Sequence, residues 1–233
     1  MGHGENLQSL LRAGSQRLYP RITNPNWLVL RRRREIFRAW CSELARPRLR
    51  ILDVGGHIQP YRELLPRPHE YWSVDLRPGL LVGVIADATL LPFAADTFDI
   101  VLCTQMLEYA PDPAGVVKEI HRVLRPKGVL LLSAPSIFPR DSEHDAWRFF
   151  PSALSSLLSI FTEHVIVAEC GSAAGFLRTA AVFGYATARF RVLQWLLSVS
   201  LVPVFNLTGF VLDRLGGNRE GSFTPNYSVR AIK

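Results

Sequence analysis

The sequence predicts an α/β protein built on an open, seven-stranded, mostly parallel sheet with helices on both faces. Three observations predict it. From residue 50 onward, short apolar runs alternate with helix-like and turn-rich pieces, the pattern of strands joined by crossovers. The run Ile51-Leu52-Asp53-Val54 breaks into Gly55-Gly56, where a strand hands over to a tight turn and a helix. Asp75 lies 22 residues beyond Asp53, at the end of a second run, Tyr71-Trp72-Ser73-Val74-Asp75. A glycine turn followed by an acid in this way is the layout of a nucleotide-type site: the glycines let the backbone approach a ligand, and the carboxylate accepts hydrogen bonds from ribose hydroxyls.

The elements follow in order. Residues 1–48 read as a helical lead-in in which Trp27-Leu28-Val29-Leu30 and Ile36, Phe37 and Trp40 frame the run Arg31-Arg32-Arg33-Arg34. Residues 49–233 form the main domain, with strands expected at 50–54, 71–75, 82–86, 98–103 and 129–133. Between them lie 61–65, a turn-rich stretch at 87–96 and a helix at 113–124. That helix places Val116, Val117, Ile120, Val123 and Leu124 on one face at nearly the helical period. Arg125-Pro126-Lys127-Gly128 ends it with a proline and a glycine. Ligands of such sheets bind outside the carboxyl ends of the strands, and Asp53, Asp75, Asp87 and Thr104 all fall there.

A helix at 152–160, a strand at 163–169 and a last strand at 226–232 complete the pattern. Between those two strands sits an apolar insertion, about 171–217, with no charged residue from 192 to 212. That length reaches the ~20 residues needed to span a bilayer. Gln194, Ser198, Ser200, Asn206 and Thr208 dilute it and Pro203 interrupts it, so two helices are expected, at 188–201 and 203–215. A lid over the site, a membrane-surface element and a span all remain open.

With 233 residues, 48% apolar and 20% charged, the chain has the composition of a globular domain and not of a disordered segment. The formal charge of +7 favours anionic partners, but much of it is concentrated near the N-terminus, where a solvated helix face accounts for it. Arg12, Arg17, Arg21, Arg38, Arg46, Arg48 and Arg50 extend that basic region. Its residues lack interleaved stacking aromatics, which argues against nucleic acid. Cys41, Cys103 and Cys170 have neither metal-type spacing nor an even count, so no metal site and a reducing compartment are expected. With no apolar signal-peptide core near the start, the expected location is cytoplasmic, with peripheral membrane contact through 188–215 as an option.

Several motifs, in order over about residues 48–170, resemble the class I S-adenosylmethionine-dependent methyltransferases. The resemblance is to the broad small-molecule group related to ubiquinone-biosynthesis methyltransferases, whose fold is Rossmann-like. The motifs are Ile51 through Gly56; Asp75; Asp87-Ala88 with Leu91-Pro92-Phe93; Thr97-Phe98-Asp99-Ile100-Val101; Leu107-Glu108-Tyr109-Ala110-Pro111-Asp112-Pro113; and Glu119 through Leu130. The resemblance implies S-adenosyl-L-methionine as cofactor. Asp75, with Leu76 next to it, would hold the ribose, Asp87 and Ala88 the adenine. Asp53, Gly55, Gly56, His57, Thr104 and Gln105 would surround the methionine end.

The segment Glu143-His144-Asp145-Ala146-Trp147-Arg148-Phe149-Phe150, like Pro60-Tyr61-Arg62, resembles a subgroup often found with glycan and cell-surface biosynthesis. It offers His144 as a general base, Asp145 to orient it and Arg148 to hold an anionic acceptor. The opposing reading makes Asp145 and Arg148 a structural ion pair and the aromatics core. The chain departs from the family at His57 and Gln59, which stand where glycines are usual, and at Tyr109, which stands where a histidine is common.

The expected function is methyl transfer to a small-molecule, glycan or lipid-linked acceptor at oxygen, nitrogen or carbon. The alternatives are a non-catalytic relative that binds a nucleotide-like ligand or a partner protein, and a nucleotide-dependent dehydrogenase, against which the Asp87 loop argues.

Overall fold

The computed structural model describes residues 6–44, 48–67, 69–140, 142–216, 221 and 223–233. The strands are β1 (Leu49–Val54), β2 (His69–Asp75), β3 (Val84–Ile85), β4 (Phe98–Thr104), β5 (Leu124–Pro135), β6 (Glu163–Ala168) and β7 (Asn226–Ile232). They form one sheet in the order β3-β2-β1-β4-β5-β7-β6. β1 runs parallel to β2, with Ile51 opposite Tyr71, and parallel to β4, with Ile51 opposite Ile100. β7 runs antiparallel to both β5 and β6. The expected seven-stranded, mostly parallel α/β sheet is therefore present.

The central strands carry apolar residues on both faces, as a sheet covered twice requires. Leu52, Val54, Val101, Cys103, Leu130 and Leu132 pack on one side with α3 (Pro113–Val123) and α4 (Pro151–Leu157). Ile51, Ile100, Leu102 and Leu131 pack on the other with Ile36, Phe37 and Cys41 of α2 (Trp27–Glu43). The N-terminal region thus supplies one cover of the sheet. Before it lies α1 (Leu7–Leu18), capped by Asn6, whose side chain accepts from the Gln8 N–H at 3.0 Å.

α3 begins where Asp112 accepts the Gly115 N–H at 2.9 Å and Pro113 fills a first-turn position that needs no N–H. It ends at Val123, and Leu124 already pairs with Phe98 of β4. Lys127 then takes a left-handed φ of 65°, and the register shifts before Ile100 meets Val129. The proline-glycine stop is a bulge at the start of a strand longer than expected.

The first crossover differs from expectation. No α-helix follows Gly55-Gly56; the chain makes a single 3₁₀ turn at Arg62–Leu64 before β2. Gln59 in a left-handed conformation (φ 45°) and Pro60 interrupt helical continuation. α2 covers this face in place of the expected helix.

The arginine run is not a solvated stripe. Arg33 is 2% exposed and forms a bidentate pair with Glu169 (2.8 and 2.9 Å), which also accepts from Ser228. Arg31 pairs with Glu35 and lies over the Trp27 and Phe210 rings, while Arg34 donates to Leu18 O and stacks on Tyr19. Arg46 lies outside the described residues.

Among the described residues the insertion holds α6 (Arg191–Val199) and α7 (Leu201–Gly216), close to the two helices expected, and before them an unexpected third, α5 (Ser172–Thr187). Pro203 sits in the first turn of α7, where it is tolerated. Gly209 lets α7 approach its neighbours closely: a Cβ there would lie 2.8 Å from Leu28 Cδ1 and 3.2 Å from Ala174 Cα. Gly217, the expected end of the insertion, is outside the described residues.

Candidate active site

β1 lies between β2 and β4, so the order of the strands reverses beside it. Ligands of open α/β sheets bind at such a point, outside the carboxyl ends. A crevice of about 880 Å³ opens there, within the size range of small-molecule sites.

Its floor is the loop after β1. The Gly55 and Gly56 N–H groups both donate to Val74 O, at 2.8 and 3.2 Å, which bends the chain over the end of β2. Gly55 has φ 79°, and a Cβ there would lie 2.7 Å from Met106 Cγ and 2.8 Å from Met106 Cβ. Only glycine accepts both the turn and the close approach. A Cβ on Gly56 would meet Asp53 and Ser73 at 3.0 Å.

The two departures from the glycine pattern have structural accounts. The His57 ring lines the crevice and fits against Gly79, where a Cβ would lie 2.7 Å from the ring. Gln59 keeps the positive φ that a glycine would supply, and its side chain donates to Leu81 O at 2.5 Å. The loop is therefore tied to the segment after β2.

Asp75 ends β2 and lines the crevice; its Oδ1 also accepts the Arg77 N–H at 3.0 Å. Leu76 follows, 70% exposed, as an apolar wall. Asp87 and Ala88 line the same space after β3. The Thr89 N–H and hydroxyl each reach Asp87 Oδ1 at 2.8 Å, and these hydrogen bonds, backbone first, hold the Asp87 carboxyl below its usual range. Thr104 and Gln105 close the β4 side; Gln105 has φ 51°, its N–H donates to Ser133 O at 2.9 Å and its side chain donates to Asn226 at 3.1 Å.

Asp53 does not line the crevice. It is 3% exposed beneath the loop and accepts from the Tyr71 hydroxyl at 2.5 Å, and burial pushes its carboxyl up to about 7. The alternation of β1 explains this: Asp53 shares the parity of Ile51, which faces α2, while the crevice takes Val54 and Gly55.

Of the three residues expected to serve catalysis, His144 lines the crevice, with its side chain 65% exposed and its Nε2 3.6 Å from Glu143. Asp145 is buried and paired with Arg148 through two hydrogen bonds of 2.5 and 2.6 Å. Arg148 also donates to Phe138 O and Pro139 O, at 3.0 and 3.2 Å. The geometry matches the structural ion-pair reading. The segment is anchored further on, where the Ala146 and Trp147 N–H groups donate to Glu108 O at 3.0 and 3.2 Å. Glu108 itself is 4% exposed, and burial pushes its carboxyl up to about 7.

Sequence reasoning missed Arg17, Ile58, Arg77, Met106, Tyr109 and Ser142, all of which line the crevice. Arg17 comes from α1, brought over the loop by Gly14, where a Cβ would lie 2.5 Å from Ile58 O. A small residue inside an amphipathic helix was its one sequence signal. Among the described residues no cluster of His, Cys, Asp and Glu is arranged to hold a metal ion, and the three cysteines are buried and free.

Fold and site together define an α/β protein with a nucleoside-type cofactor crevice. Residues 52–132 match the family described as methyltransferase domain. The chain is 29% identical over 136 residues to 2-methyl-6-phytyl-1,4-hydroquinone methyltransferase 2, chloroplastic, of Oryza sativa subsp. japonica, which covers 46% of this chain and 39% of that protein. It is 44% identical over 43 residues to the ubiquinone biosynthesis O-methyltransferase of Pseudomonas paraeruginosa (strain DSM 24068 / PA7), covering 18% of each. The match thus spans well under half the length of either relative. A SAM dependent methyltransferase from Archaeoglobus fulgidus shares the fold, with a TM-score of 0.50 at 16% identity over 85% of this chain and 94% of that one. Residues 52–132 therefore carry the likeness to the methyltransferase-domain family, and the fold is one that a SAM dependent methyltransferase shares.

The crevice fits that family's cofactor, S-adenosyl-L-methionine, on its own chemistry. Asp75 offers a carboxylate to a diol, and Asp87 and Ala88 offer an acceptor and a backbone donor to an adenine edge. Leu76 and Met106 supply apolar contact, and Gly55 leaves a cradle that a Cβ would fill.

Proposed function

We propose that the protein transfers a methyl group from S-adenosyl-L-methionine to a small phenolic or similar acceptor that is lipid-linked or carries an apolar tail. The observation that carries this reading is the convergence of Gly55, Asp75, Asp87, Ala88 and Thr104, from four separate loops, on one crevice. The names of the hydroquinone and ubiquinone relatives support the acceptor class.

The cofactor supplies a methyl carbon activated by a positive sulfur, which leaves as a neutral thioether. The protein must hold donor and acceptor in line and exclude water, which accounts for a large share of such catalysis. Asp75 would hold the ribose hydroxyls through charge-assisted hydrogen bonds. His144, at the edge of the crevice, takes the proton from the acceptor hydroxyl as its oxygen attacks. The Asp145–Arg148 pair holds the segment that carries His144, so both are positioning residues. We assign the protein to the cytoplasm, with the acceptor reached at a membrane surface.

Calorimetry with S-adenosyl-L-methionine is the direct test. Saturable binding that Asp75→Asn weakens by about a hundredfold, the worth of two charge-assisted hydrogen bonds, supports the reading. Binding that is absent at millimolar cofactor, or unchanged in the variant, sinks it.

A further inference from the structure

We propose that the segment of α6 and α7 docks the protein on an anionic lipid surface, lying in the plane of the interface. This goes beyond methyl transfer and stands independently of it. The stretch Arg191–Gly216 is long and apolar enough to cross a membrane by composition, with mean hydropathy 1.8, yet only 17% of its most apolar window is buried. None of the residues of α6 is buried. Val192, Trp195 and Val199 of α6 and Val204, Leu207 and Leu215 of α7 stand in solvent, Trp195 62% and Leu215 82% exposed. A row of this kind is far outside what isolated exposed side chains present.

The packing of α7 argues against a span. α6 and α7 meet at Ser200 (φ −112°, ψ −72°), whose N–H donates to Leu196 O at 3.0 Å. α7 is fastened along its opposite stripe. Val202, Asn206 and Gly209 are buried there, and the Asn206 side chain donates to Ile22 O and Asn24 O at 2.7 and 2.9 Å. A helix held to the protein on one side and bare and apolar on the other is suited to lie on a membrane.

Charge selects an anionic membrane over a second copy of the chain. Exposed Arg189 and Arg191 stand at the head of α6 and exposed Arg214 near the end of α7. The one acid of this segment, Asp213, is turned inward and accepts the Gly171 N–H at 3.1 Å. A face rimmed by like charges repels its own copy and attracts acidic headgroups. The topology puts this surface beside the site. The insertion leaves the sheet at the carboxyl end of β6 and returns at the start of β7, which runs antiparallel. Both points lie on the sheet edge where the crevice opens, and Gln105 of the crevice bonds Asn226, the first residue of β7.

Flotation of the full chain with vesicles of phosphatidylcholine, alone or mixed with phosphatidylglycerol, tests this. The expected result is binding to the mixed vesicles that falls with salt and is released by alkaline carbonate. Each of Arg189→Gln, Arg191→Gln and Arg214→Gln should weaken it about fivefold. Trp195→Ser with Leu207→Ser should abolish it while leaving the circular dichroism spectrum intact, since both side chains are exposed. Equal partitioning into both vesicle types, absence of flotation, or carbonate resistance overturns the proposal. So does a dimer in sedimentation that Leu207→Asp disperses, which would assign the face to a second copy.

Discussion

Replacing Gly55 by alanine tests the floor of the crevice at one atom. Gly55 has φ 79°, and an L-residue in the left-handed region costs about 1–2 kcal/mol. The added methyl would lie 2.7 Å from Met106 Cγ and 2.8 Å from its Cβ. Those atoms sit at the root of the side chain, so an off-rotamer Met106, about 0.5–1.5 kcal/mol, relieves Cγ, and a small movement of the loop must relieve Cβ. The total is roughly 2–3 kcal/mol, and it must appear somewhere. If the loop keeps its shape, the variant loses that much stability in urea unfolding. If the loop relaxes, the cost is moved to cofactor binding, where ~1.4 kcal/mol is a factor of ten, giving a rise in Kd of about 30- to 150-fold. The two measured losses, from unfolding and from calorimetry with S-adenosyl-L-methionine, should therefore sum to that figure. Adding Met106→Gly should return the steric part, since it removes both Cγ and Cβ, and leave the backbone part of Gly55→Ala. A Gly55→Ala protein whose stability and cofactor affinity both stay within about 0.5 kcal/mol of the parent refutes the reasoning.

Other substitutions probe separate links. His144→Gln should lower kcat on a prenylated hydroquinone by about 10²- to 10⁴-fold and leave cofactor Kd unchanged; an unaltered kcat removes His144 from the reaction. Arg33→Met leaves Glu169, 0% exposed, as an uncompensated buried charge, at a cost of about 3–5 kcal/mol. The double variant with Glu169→Gln should recover most of that in chemical unfolding, and a single variant as stable as the parent would contradict it. Asp53, pushed up to about 7 by burial, keeps a proton in the folded state that the unfolded chain has released. The native protein then binds more protons from about pH 4, the unfolded value, up to about 7, so stability falls as pH rises through that window. Asp53→Asn should flatten this slope, leaving the part due to Glu108, whose carboxyl is raised to the same value; an unchanged slope in pH-resolved unfolding rules Asp53 out as its source.

Much of the fold was legible because its signals are local. The period of Val116, Val117, Ile120 and Val123 gave α3, and the apolar runs gave the strands, since each pattern reports which face of an element is buried. The crevice acids were legible for a related reason. Asp75 and Asp87 sit where strands end, and strand ends in a parallel sheet converge on one edge. The helix expected after Gly55-Gly56 was misread. The backbone there is decided by Gln59 and Pro60 and by contact with Leu81, 22 residues away from Gln59. The arginine run was misread as solvated because no local pattern announces that Arg33 meets Glu169, 136 residues away. Arg17 was missed because α1 reaches the crevice through contacts with Ile58 and Pro60, more than 40 residues away.

The sequence by itself determined the alternation of elements, the glycine turn, the order of the motifs and the charge-free apolar insertion, all written in short-range spacing and composition. The tertiary structure decided which acids face the crevice and which are buried beneath it. Asp53 and Asp75 both lie at the carboxyl ends of strands, but Asp53 is one residue short of the end of β1, and the pleat turns it toward α2 while Asp75 stays at the crevice. It also decided that Asp145 and Arg148 bind each other, and which stripe of α7 is held by Leu28 and Ala174 and which is left bare. Those outcomes depend on packing between segments far apart in the chain, and side-chain direction is settled only when the opposing surface is in place.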